Sequence, residues 1–315
     1  MAAMIEASGF RYESLQDWAK LPEGWTFIEV SGVAVDSKDN VYVLCRGQHP
    51  VVVFDKQGNF LRSFGEGEFN HRAHGIHISP DDFVYTVNDD QHCIKKYTTG
   101  GKLLETIGKE YDPAEKWSGK PFNRPTNMAV SPANGDVYVT DGYGNARVHR
   151  YSPEGHHILS WGEAGVAPGQ FQVPHNVVVD RDENIFVTDR ENNRLQVFDK
   201  NGKLQDVWHN IYRPQALCMD REGTIYIGEM LNHPELADHP GLGHRLNVYT
   251  HTGQHLARLG DSAIGDEATQ FIAPHGFAVD SEGNLYVGEV SHTVYGRRFT
   301  PPRTYKSFRR LTRVR

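Results

Sequence analysis

The sequence predicts an all-β fold: a six-bladed β-propeller with four-stranded antiparallel blades, the ring closed by an N-terminal strand in the last blade. Three observations predict it. A pattern recurs along the chain: an apolar strand ending in Asp or Ser, a turn, a Val-Tyr-Val-like run ending near an acid, a polar loop, and a strand like Arg194-Leu195-Gln196-Val197-Phe198. The runs are short, β-branched and aromatic, and bounded by Gly, Asp, Asn and Pro, while helical periodicity is nearly absent. Six copies align, each supplying four short strands in roughly 40 to 50 residues, the signature of a propeller blade.

Taken in order, the first strands fall at 32–36, 75–79, 127–131, 176–180, 216–220 and 276–280, and the second strands at 40–44, 83–87, 136–140, 184–188, 224–228 and 284–288. A third and fourth strand follow in each copy except the last. After its third strand, expected within 305–314, the sixth copy has no residues left for a fourth. Residues 12–18 resemble the fourth strands at 101–107 and 203–208, so they are expected to pair with the C-terminal strand and remove a bare edge. The fifth copy carries the largest insertion, 231–244, rich in His, Pro and Gly and suited to a lid or a subunit contact. The arginine-rich end, Arg297 to Arg315, is expected to be a solvated outer strand.

The chain has 315 residues and no composition shift or Pro/Ser/Gly-rich linker, so residues 1–315 are expected to form a single domain. A net charge of −7 with interspersed signs argues against nucleic acid as a partner. No membrane partner is expected, because no apolar run reaches spanning length, and residues 1–10 lack a signal pattern. Cys45, Cys93 and Cys218 lie in different repeats and do not suggest a disulfide framework. These features lead to an expected cytoplasmic location.

Most of the 17 histidines need no special role. His49, His92 and His233 occupy the turn before the third strand, and His149, His156, His157, His251 and His255 belong to outer strands or hairpins, where solvent-facing or edge roles are expected. Three others share one phase. The residue just before each first-strand core is Ser31, His74, Thr126, His175, Gln215 and His275, with histidine in the second, fourth and sixth copies. In a six-fold ring those copies stand about 120° apart, and first strands are innermost. Three imidazoles converging on one mouth, with a fourth position open, describe a catalytic zinc site. The loops after the second strands lie at the same mouth. They carry Arg46 in the first copy, Arg190 in the fourth, and Tyr143 in Asp141-Gly142-Tyr143-Gly144-Asn145, whose glycines free the backbone to lift the ring. Two arginines and a tyrosine beside a metal make an anion-binding, proton-transferring site.

The repeats resemble NHL repeats, with the run Asp189-Arg190-Glu191-Asn192-Asn193-Arg194 typical of them. Nearly the whole chain is similar to the lyase domain of peptidylglycine α-amidating enzymes. The resemblance is carried by His74-Gly75, Asp141-Gly142-Tyr143 with Asn145 and Arg147, Val173-Pro174-His175, Thr188 to Asn192, Pro274-His275 and Arg46-Gly47. It implies zinc on His74, His175 and His275, a catalytic Tyr143, active-site Arg46 and Arg190, and cleavage of an N-acyl-α-hydroxyglycine to an amide and glyoxylate. It also implies a structural Ca2+ on the carbonyls of Val33 and Ile76 and an Asp, but Gly276 stands where that Asp belongs, and Ala273 replaces a Met near the family's zinc. The family's disulfides and its monooxygenase domain have no counterpart here, which shifts the expected substrate from peptide hormones to a small carbinolamide bearing a carboxylate. Two other readings stay open: a metal-dependent hydrolase or hydratase on the same three histidines, and a non-catalytic propeller scaffold. Another divalent metal could replace zinc, and the oligomeric state is left open.

Overall fold

The structure, a computed structural model, describes residues 3–230, 239 and 241–315. The fold class is an all-β, six-bladed propeller built from antiparallel sheets. Among the described residues five sheets have four strands and one has five. The chain divides into two compact units, residues 67–214 and residues 1–66 with 215–315. Among the described residues no helix is long and apolar enough to cross a membrane. Most of the 231–244 insertion, and His233 with it, lies outside the described residues.

The unit of residues 67–214 holds blades two, three and four, whose first strands are Ala73–Ile78, Asn127–Val130 and Pro174–Val179. Each second strand is buried at every position: Val84–Asn88, Val137–Asp141 and Ile185–Asp189. Fourth strands such as Leu103–Gly108 are largely exposed, as the outermost strand of a blade must be. Neighbouring sheets close on shared apolar side chains, among them Tyr138, Val148, Trp161, Phe171, Val187 and Phe198. The Asp ending a first strand has a local task. Asp180 Oδ1 accepts the backbone N–H groups of Asp182 and Asn184 at 2.9 and 2.8 Å, an Asx turn that closes the hairpin.

The other unit holds blades one, five and six, and its Asp36 and Asp280 build the same turn. Blade six is closed as expected. Phe10–Leu15 pairs antiparallel with Phe308–Arg313, with Tyr12 opposite Arg313 and Leu15 opposite Arg310. The paired segment starts at Tyr12, where the sequence pattern placed it, and ends at Leu15, three residues short of the expected end. A further strand, Ala3–Ala7, adds to its outer side and makes this the five-stranded sheet. Trp18 lies beyond the strand and packs edge-on against Tyr286 at 5.0 Å.

Two expectations are corrected. Arg309 is not solvated. It is 1% exposed, donates to Glu289 at 3.1 Å and lies over the Phe271 ring, because alternation along Phe308–Arg313 turns it inward. His149 is not at a solvent-facing edge: it is fully buried on a third strand between Asp141 and Ser160.

Candidate active site

Strand irregularity aims the three histidines. In blade two Ala73 pairs with Asn88 and Gly75 with Val87, so His74 is left out of the ladder. His175 is skipped in the same way between Pro174 and Asn176, and His275 between Pro274 and Gly276. Each is the extra residue of a β-bulge, a device that re-aims a side chain. All three are buried, and together they could hold a metal ion.

Within residues 67–214, His74 Nδ1 lies 2.6 Å from the carbonyl oxygen of Thr126, the residue at the equivalent phase of blade three. A carbonyl only accepts, so Nδ1 carries the proton and Nε2 the lone pair. That Nε2 is 2.8 Å from the Tyr143 hydroxyl, which therefore donates to it. His175 Nε2 lies 3.2 Å from the same oxygen, and Arg190 Nη1 donates to it at 3.3 Å. The Thr126 hydroxyl is 2.8 Å from the carbonyl of Pro174, just before His175. One threonine thus steadies two histidines, its carbonyl holding one ring and its side chain the strand of the other.

The loop that presents Tyr143 is tightly anchored. Buried Asp141 accepts the Asn123 N–H at 3.0 Å and the Asn145 amide at 2.9 Å. The flanking glycines serve close approach rather than an unusual backbone angle. A Cβ on Gly142 would lie 2.1 Å from the Pro174 carbonyl oxygen, and one on Gly144 would lie 2.0 Å from Asn123 Oδ1.

Three guanidinium groups gather at the Tyr143 ring, with Arg124 5.1 Å, Arg190 5.4 Å and Arg72 5.9 Å from its centroid. Burial alone would lower the pKa of Arg190, but Tyr143 and Glu191 beside it outweigh that and raise it. Sequence reasoning found Arg190 and missed Arg72, Arg124 and their shared partner Asp89. A signal existed: Arg72, Arg124 and Arg213 each stand two residues before the phase residue of their copy.

In the unit of residues 1–66 and 215–315 the same wiring recurs. His275 Nδ1 lies 2.6 Å from the Ser31 carbonyl, which again leaves the lone pair on Nε2. Gln215 Nε2 donates to the Pro274 carbonyl at 2.9 Å, just before His275. Arg46 is buried, and its Nη1 donates to Glu29 at 2.8 Å. Thr293 adds its N–H to Glu29 at 2.7 Å. Burial would raise the Glu29 pKa, but Arg46 and Thr293 bring it below the usual 4.5. Gly276 packs so tightly on Gly32 that a Cβ would lie 2.5 Å from the Gly32 Cα, which leaves a carboxylate side chain at 276 no room.

The chain matches the NHL repeat family over residues 122–151 and 171–198. It is 26% identical to peptidylglycine alpha-amidating monooxygenase of Rattus norvegicus, over 86% of this chain and 30% of that protein. It is 33% identical to NHL repeat-containing protein 3 of Mus musculus, over 82% of this chain and 76% of that protein. Peptidyl-alpha-hydroxyglycine alpha-amidating lyase 1 of Drosophila melanogaster is 32% identical, over 71% of this chain and 43% of that protein. The chain spans about a third of the length of the amidating monooxygenases it matches. Among solved structures, a gluconolactonase from Xanthomonas campestris has a TM-score of 0.62 at 13% identity, covering 100% of this chain and 98% of that chain, a likeness of fold alone.

Proposed function

The chain belongs to the family of NHL repeat-containing protein 3, and we propose that it is a metal-dependent lyase. It would break the C–N bond of an N-acyl-α-hydroxyglycine, or a similar small carbinolamide, to give an amide and glyoxylate. The relatives named as amidating lyases and monooxygenases support this reading. The observation that carries it is the Tyr143 hydroxyl, wired to His74 Nε2 and His175 Nε2 and to Arg190 Nη1.

The residues present fit a metal. His74 and His275 are buried, and each spends its Nδ1 proton on a backbone carbonyl, the arrangement that orients a ligating imidazole and keeps Nε2 basic. With His175 they make a three-imidazole set suited to zinc or another borderline divalent metal. Bound there, zinc supplies a Lewis acid that stabilises negative charge developing on the substrate oxygen.

Tyr143 Oη is the group that moves the proton. Acting as the phenolate, its own proton lost beforehand, it would accept the proton of the substrate's α-hydroxyl as that C–O bond becomes the aldehyde of glyoxylate. The C–N electron pair leaves with the amide nitrogen, and Tyr143 Oη returns the proton to it. Arg190 binds the substrate carboxylate, and Arg46, oriented by Glu29, is its second partner.

The test is metal analysis of the purified protein, followed by incubation with α-hydroxyhippurate. Benzamide and glyoxylate should appear in equal amounts, and a metal-loaded protein that produces neither overturns the reading. The name NHL repeat-containing protein 3 states no reaction, which keeps a non-catalytic scaffold as the second reading. A metal-free purified protein, with a His175→Ala variant indistinguishable from wild type, would favour that scaffold.

A further inference from the structure

The lyase reading uses Arg190 and leaves two arginines at Tyr143 without a task. Arg72 and Arg124 share one fully buried carboxylate, Asp89. Arg72 Nε and Arg124 Nη2 both donate to Asp89 Oδ1 at 3.1 Å, and Arg72 Nη2 donates to Oδ2. The same economy of charge recurs beside them, where Glu191 alone serves Arg190 and Arg213. Two carboxylates, Asp89 and Glu191, thus pair with four guanidinium groups, three of them at the Tyr143 ring, all within residues 67–214. Asp141, hydrogen-bonded by Asn123, Asn145 and His149, brings the carboxylates to three against the four guanidinium groups. Asp90, exposed and in contact with Asn70, acts on Arg72 from solvent, where its charge is screened.

Arg124 has the most spare capacity. Its side chain is 38% exposed, against 24% for Arg72 and 12% for Arg190. Its Nε is buried without a hydrogen-bond partner among the described residues. The exposed part of a guanidinium that is held by a buried carboxylate beside the phenol is placed to receive an oxyanion.

We propose that Arg124, steadied by Asp89 and Arg72, is a specificity-determining residue that binds a second acid group on the acyl half of the substrate. The substrate is then a dianion, an N-acyl-α-hydroxyglycine whose acyl group derives from a dicarboxylic acid. The α-hydroxyglycine half of this inference rests on the lyase reading, whereas the second acid site rests on the arginine cluster alone.

The experiment uses a pair of compounds equal in shape and different in charge: N-succinyl-α-hydroxyglycine and its ω-amide. On the metal-loaded full chain the wild type should favour the dianion in kcat/KM by about 10-fold to 100-fold, as expected of a charge-assisted contact. Arg124→Gln should bring that ratio close to one, and Arg124→Lys should restore part of it. A wild-type ratio near one overturns the proposal. So does an Arg124→Gln variant that slows both compounds equally, because Arg124 would then serve Tyr143 and not the acyl group. Calorimetric binding of N-succinylglycine and its ω-amide, which lack the reacting hydroxyl, gives a readout independent of turnover. If neither substrate yields glyoxylate, the lyase reading fails alone. Tighter binding of N-succinylglycine that is lost in Arg124→Gln then still supports the acid site, and equal binding of the two compounds refutes it.

Discussion

Replacing Gly142 with alanine tests whether the seat of Tyr143 sets the rate. The added Cβ would lie 2.1 Å from the Pro174 carbonyl oxygen and 3.0 Å from Thr126 Cγ2. A carbon and a carbonyl oxygen rest at about 3.3 Å or more, so loop and strand must part by roughly 1 Å. Neither neighbour can give without disturbing the site. Pro174 is bonded in sequence to His175, and the Thr126 carbonyl holds His74. A misplacement of about 1 Å at a reacting group costs on the order of 10²-fold in rate, while overpacking one methyl costs about 1–3 kcal/mol in stability. Gly142→Ala should therefore lower kcat for glyoxylate release about 100-fold and lower Tm by only a few degrees. The control is Gly223→Ala, at φ +83° in the hairpin turn between Pro214–Met219 and Ile225–Glu229, where the nearest neighbour of a Cβ would be 3.7 Å away. That change should cost stability through backbone strain and leave kcat alone. Glyoxylate release, metal content and calorimetric melting on both variants make the measurement. A Gly142→Ala enzyme that keeps kcat within about threefold of wild type would refute the reasoning.

Three further outcomes are expected. Tyr143→Phe removes only the hydroxyl, so metal content should persist while kcat falls by about 10² to 10⁴; full kcat would make Tyr143 a turn residue. Deleting residues 1–15 strips two strands from Phe308–Arg313 and removes buried Ile5 and Tyr12, so Tm should fall by about 10 °C or more. An unchanged melt would sink the closure of blade six. Glu29→Gln breaks a buried pair with Arg46 and should cost about 3 kcal/mol at pH 7. Because the Glu29 pKa is lowered in the fold, its contribution is present above the usual 4.5 and is lost as pH falls through the folded value. The gap in Tm between wild type and Glu29→Gln should therefore be wide at neutral pH and narrow below about 4.5, and a gap independent of pH would contradict the pairing.

By itself the sequence determined the six blades, the four strands of each and the phase of the three histidines, but not the added strand Ala3–Ala7. Alternation along a strand is a local property, and the copies report it six times over. It also determined that Gly142 and Gly144 flank Tyr143, though not why. Tertiary structure supplied the reason, the Pro174 carbonyl and Asn123 pressed against them, because close approach depends on what another segment brings up. The bulges that aim His74, His175 and His275 were hidden for a related reason: an extra residue in one strand shows only against its partner. His149 and Arg309 looked like outer-strand polar residues, and only the buried acids Asp141 and Glu289 opposite them explain their burial. Asp89 is the plainest case. In sequence it is one more acid in a turn, 17 residues from Arg72 and 35 from Arg124. Two blades must pack side by side before one carboxylate can hold both arginines at the ring of Tyr143. The charge balance of the site follows from that packing, which no spacing within a single repeat records.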